Sequence, residues 1–198
     1  MRMQYYIYSL FCFLLPGTVW LICNRRMIAD KAYKVRHIIW IYIYMFYGYL
    51  AMQEAAGIGT IWDLITYGKL DNSINLIPFS SEGAMTYILN IIMFMPLGFL
   101  LPLIWKNFRN AKKVVLMGFL MSLAIEICQL FNLRTTDIDD LMMNTLGALA
   151  GYCCWKVFSL IFRNAGTKCM EIKKSEPVIY MFGGILGLFL LYNWRVFD

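Results

Sequence analysis

Three short polar runs interrupt otherwise apolar stretches of the sequence, and their spacing makes them candidates for chemistry. Ser122, Glu126 and Gln129 recur at i, i+4 and i+7, a spacing that sets all three on one face of a helix. Glu126 lies seven positions before Leu133, roughly 10 Å below the end of its apolar window at 1.5 Å per residue. An ionised group at that depth costs on the order of 3 kcal/mol, so it is expected to face a bundle interior and to serve a purpose. Asp140, Asn144, Gly147 and Gly151 form a second stripe at i, i+4, i+7 and i+11, and its glycines allow another helix to approach closely. Arg134, Asp137 and Asp139 fill the seven-residue turn that ends at Asp140. Asp137 or Asp139 can cap the following helix, which satisfies one aspartate and leaves others over. The third run contributes Asn90, followed by Pro96 and Gly98; the proline frees a carbonyl near residue 92 and is expected to kink the helix beside a cavity.

Brought together, Asn90, Glu126, Gln129, Arg134, Asp137, Asp140 and Asn144 would line a polar pocket. In it a buried, protonatable Glu126 is placed as general acid or base. Asp137 and Asp140 would orient a nucleophile or, with Asp139, hold a divalent cation, and Arg134 would bind an anionic head group. The competing interpretation is interhelical hydrogen bonding alone, worth about 0.6 kcal/mol per contact in membrane bundles. For Asn90 and Asn144 the two stand even; the depth of Glu126 and the excess of aspartates favour function.

The elements that must position these residues are legible in the composition. Of the 198 residues, 61% are hydrophobic and 15% charged, against roughly 25% charged in a soluble domain, so a water-soluble fold is excluded in favour of one all-α membrane domain. Six windows approach the ~20 apolar residues that a span requires: 5–23, 38–53, 84–105, 114–133, 141–162 and 178–194. Lys and Arg concentrate after the first, third and fifth windows, as in Arg25-Arg26, Lys112-Lys113 and Lys173-Lys174, whereas most acids fall in the alternate connections. Because cytoplasmic loops carry the basic excess, this polytopic bundle is expected to have both termini and the polar pocket facing outward. The segment 54–83, with Trp62, Ile65, Tyr67 and Pro78-Phe79, is too polar to cross and suits an interfacial helix or a re-entrant turn.

The same placement of charge disposes of other partners. The net charge of +6 is explained by topology and attraction to anionic lipid, not by nucleic acid. Six cysteines contain no C-x-x-C pair and His37 is the only histidine, so no metal-ligand cluster is built from these types. Lys156, six residues from the end of its window, is expected to extend its ammonium to the interface. The first window ends in Arg25-Arg26 without a small-residue cleavage pattern and is expected to remain as a span.

Four segments in order, Asn75-Leu76-Ile77-Pro78-Phe79, Asn90 through Gly98, Glu126-Ile127-Cys128-Gln129, and Arg134 through Gly147 with Gly151, make the chain resemble the VanZ-like family over roughly residues 40–160. The resemblance implies a multi-pass protein of the bacterial plasma membrane linked to low-level teicoplanin resistance, and it adds Asn75 and Asp139 to the candidate ligand-binding residues. Three classes of function fit: an enzyme acting on a lipid-linked cell-wall intermediate, a protein that binds such a lipid or a glycopeptide without chemistry, and a transporter using Glu126 as its coupling residue. No G-x-S-x-G or S-x-x-K nucleophile motif is present, which leaves the reaction unnamed. The kinked third window has no proline-interrupted counterpart in the fifth and sixth, which weighs modestly against transport by internal repeats.

Overall fold

The computed structural model describes residues 2–29, 34–53, 59–68, 74–79, 83–131, 136–162, 172–193 and 196. They are mostly helical: α1 (Arg2–Cys23), α2 (Arg25–Ala29), α3 (Lys34–Ala51), α4 (Ile61–Tyr67), α5 (Ala84–Ile104), α6 (Ala111–Gln129), α7 (Ile138–Ile161) and α8 (Glu176–Leu191). By length and apolarity, residues 3–23 of α1 and all of α5 suffice to cross a membrane, and α8 is a shorter apolar helix. One feature departs from the all-α expectation. Two-residue strands, β1 (Ile74–Asn75) and β2 (Thr136–Asp137), pair in parallel with Asn75 opposite Asp137.

Glycines determine which helices touch most closely. Gly147 lies against the carbonyl of Ile91, Gly151 against that of Met95, and Gly98 against that of Ala148. A Cβ added at any of these would come within 2.4 Å of the facing oxygen, so only glycine lets the backbones meet. The register rises along both helices together, which makes α5 and α7 a parallel pair, matching the parallel strands that lead into them. α6 runs antiparallel to α7, with Gly118 against the Ala148 methyl and Asn144 against Ser122. A second pair is built from α1 and α8, where Gly187 meets Cys12 and Pro16, and Gly184 meets Phe13.

α3 joins the two pairs. The Tyr47 hydroxyl donates to the Met93 carbonyl at 3.0 Å, one residue past the carbonyl that Pro96 leaves unbonded, and α5 continues as helix through Pro96 and Pro102. At the end of the bundle where α5 finishes, Glu176 is fully buried and accepts from Trp105 Nε1 at 3.1 Å, Ile172 N at 3.1 Å and Tyr180 Oη at 3.2 Å, with His37 Nε2 at 3.4 Å. That hub ties α3, α5 and α8 together. At the opposite end a short helix, α4, forms within the long 54–83 connection. Gly68 closes it in the left-handed conformation, and the Trp62 indole donates to the Leu190 carbonyl at 3.2 Å.

Candidate functional site

The carboxylate cluster is assembled where α5 and α7 begin and α6 ends. Asp137 immediately precedes α7 and its side chain accepts from Asp139 N at 2.9 Å; a carboxylate suits this position because the first turn has unpaired N–H groups and the positive end of the dipole. Its other oxygen accepts from Asn75 Nδ2 at 3.0 Å. Glu126 reaches across from α6 to accept the Asp137 backbone N–H at 3.1 Å, and the Thr136 hydroxyl donates to the Glu126 carbonyl at 3.2 Å. Glu126 is buried within the protein, at 3% exposed, and one of its oxygens bonds the segment that caps α7.

Asp139 receives donors from a different direction. Its oxygens accept from Phe79 N at 2.8 and 3.0 Å and from Tyr87 Oη at 2.8 Å. Phe79 has a φ of +61°, a left-handed conformation that is an outlier for a bulky residue and stores roughly 1–3 kcal/mol of strain. Three restraints hold it there: β pairing at Asn75, the hydrogen bond from Ile77 N to Asn75 Oδ1 at 3.1 Å, and the bifurcated hydrogen bond from Phe79 N to the Asp139 carboxylate. The Asn75-to-Phe79 motif is therefore a short strand and turn latched to the start of α7. Its apolar side chains Ile74, Leu76, Ile77 and Phe79 point outward, each more than half exposed.

Asp140 is the half-buried carboxylate of the group and accepts from Asn90 Nδ2. Burial raises its pKa from 3.8, the Asn90 hydrogen bond lowers it, and the nearby charges of Asp137 and Asp139 raise it; the net direction is upward. Asn144 lies one turn deeper, 2% exposed, and donates to Ser122 Oγ at 3.0 Å, while its Oδ1 has no hydrogen-bond partner among the described residues. Gln129 is buried at the end of α6. Arg134 lies outside the described residues.

The structure thus gathers Asn75, Asn90, Glu126, Asp137, Asp139 and Asp140 in one network, with Asn144 beneath it. The three aspartates do not form a shared metal cage. Each turns to different donors, and among the described residues no group of three His, Cys, Asp or Glu side chains could hold a metal ion. Tyr87 is a member that the sequence reading missed; its i, i+3 spacing from Asn90 on α5 was the available signal. A groove of about 470 Å³ lies elsewhere, on the flank of α6 and α7 lined by Phe119, Ile138, Met142, Leu146 and Leu149. The Thr145 hydroxyl there is bonded to Leu141 O at 2.7 Å, so the groove is an apolar surface without reactive groups.

A family model described as VanZ/LLP1 matches residues 33–160, a span that contains every described member of the network. "Protein VanZ" from Enterococcus faecium is 36% identical over 134 residues, 67% of this chain and 77% of that one. No solved structure matches.

Proposed function

The chain belongs to the VanZ/LLP1 family, and on that premise we propose that it is a multi-pass protein of the bacterial plasma membrane whose outward-facing carboxylate cluster recognises a lipid-linked envelope component and so supports tolerance of teicoplanin. The six-span topology with both termini outside follows from the charge alternation of the connections, which puts Asp140 and Asn90 at the outer interface. One observation carries the reading of the site. A half-exposed Asp140–Asn90 pair stands beside a loop whose Ile74, Leu76, Ile77 and Phe79 are exposed, so acceptors for hydroxyl or ammonium groups adjoin apolar surface. An amphiphile with a sugar or amine head satisfies both halves.

The deeper carboxylates have a different task. Glu126, Asp137 and Asp139 bond backbone and side-chain donors of the loop and of α7. They hold the binding surface in shape, which favours recognition over chemistry. A catalytic role would fall to Asp140, whose carboxyl is pushed above its ordinary value by burial. The two roles separate in Asp140→Asn: loss of turnover with ligand retained marks catalysis, and loss of both marks recognition.

The proposal is tested by teicoplanin susceptibility of a sensitive Gram-positive host expressing the native chain, Asp140→Asn, Asn90→Ala or Lys112→Gln at matched membrane abundance. Protection is expected from the native chain and Lys112→Gln, and not from the two site variants. Equal protection by all four, or none from the native chain, would overturn the proposal.

A further inference from the structure

A second recess opens at the opposite, basic end of the bundle. It is about 400 Å³ and is formed by α1, α2 and α3, with Leu21, Ile22, Ile28 and Ile38 as walls. Arg25 and Lys34 are at its mouth and both are exposed. At its far end Thr18 Oγ1 and Tyr42 Oη lie 3.2 Å apart in a hydrogen bond, and Thr18 also donates to the Leu14 carbonyl at 2.9 Å. The hydroxyls are thereby occupied, and among the described residues no acidic side chain lines the recess. From Arg25 to Thr18 the trough runs seven residues along the chain, roughly 10 Å at the helical rise.

We infer that this recess is a binding site for one anionic glycerophospholipid, with the phosphate between Arg25 and Lys34 and an acyl chain lying along Ile22 and Ile38 toward Tyr42. Cations at the mouth select against neutral and cationic amphiphiles. The apolar walls distinguish a lipid from a soluble phosphate, which would gain nothing from them. Basic recesses between helices at the cytoplasmic face are where anionic head groups are held, and the proposed topology puts this end there. The site lies at the other end of the bundle from the carboxylate cluster, shares no residue with it, and stands whether or not that cluster binds an amphiphile.

Phosphatidylglycerol and phosphatidylcholine, titrated separately onto delipidated protein in detergent and counted by native mass spectrometry, provide the test. Glycerol phosphate serves as the competitor without chains. One tightly retained phosphatidylglycerol per chain is expected. Its affinity should fall roughly tenfold or more in Arg25→Gln/Lys34→Gln, fall likewise in Ile38→Trp, which fills the trough, and hold in Lys112→Gln/Lys113→Gln on α6. Both altered cations are exposed, and an unchanged circular dichroism spectrum of the first variant separates lost binding from lost fold. Equal retention of the two lipids, equal affinity in the Arg25/Lys34 and Lys112/Lys113 variants, or displacement by glycerol phosphate at lipid-like concentration would overturn the inference.

Discussion

Asp140 differs from its neighbours in what it offers to a ligand. Asp137 and Asp139 are 5% and 0% exposed and bonded to the loop and cap, whereas Asp140 is half-buried against Asn90. Its folded-state pKa is raised above 3.8, first by burial, then opposed by Asn90, then raised by the adjoining aspartates. The folded protein therefore binds this proton more tightly than the unfolded chain. The associated stability is complete below about 3.8 and is lost as pH climbs through the raised value. Binding that needs the carboxylate runs the other way, failing as pH falls through that same value. Carboxyl infrared titration of aspartate-labelled protein should show a carboxyl protonating above the ordinary range, absent in Asp140→Asn and shifted higher in Asn90→Ala, which removes the lowering hydrogen bond. An Asp140 signal titrating at or below 3.8 would contradict this. Much at this scale was legible from spacing alone, since an acid in an apolar window has few innocent explanations. What could not be read was the division of labour among four carboxylates, because that depends on donors from Phe79 and Tyr87, about 50 to 60 positions away.

The helices themselves were foreseen from hydrophobic windows, and the Asp140-to-Gly151 stripe was legible as a close-contact face. Its principal partner was not. The short turn before Asp140 pointed to α6, and Ser122 does meet Asn144, yet Gly147 and Gly151 face α5. Parallel helices separated by a whole antiparallel one share no loop, so nothing local reports their contact. The β1–β2 pair was invisible for a related reason: two residues are too few to show alternation. Gly98→Ala or Gly151→Ala would put a methyl into a facing carbonyl and should destabilise the bundle by about 1–3 kcal/mol. Gly183→Ala meets only Pro16 Cβ, at 3.6 Å, and should be neutral or slightly stabilising. Thermal unfolding in detergent compares the three, and an equal effect at all of them would refute the backbone contact.

Taken as a whole molecule, the chain has different chemistry at its two ends. One end latches an exposed apolar loop to a carboxylate cluster, and the other has the basic residues and the buried Glu176 hub. The alternation of charge along the sequence pointed to this separation, in the pattern expected where cytoplasmic loops carry the Lys and Arg excess. The Glu176 hub escaped notice, since a glutamate before Pro177 reads as an ordinary helix start. The central claim is that Asp140 and Asn90 hold the head group of an envelope amphiphile, and the most direct measurement is the lipid that travels with the protein. Native chain, Asp140→Asn and Asn90→Ala, each purified gently from envelope-producing cells, would be compared by mass spectrometry of bound lipids. A lipid with a hydroxyl- or amine-bearing head group should accompany the native chain and be depleted in both variants, while any glycerophospholipid bound near Arg25 stays unchanged. Identical lipid profiles for all three proteins would contradict the claim.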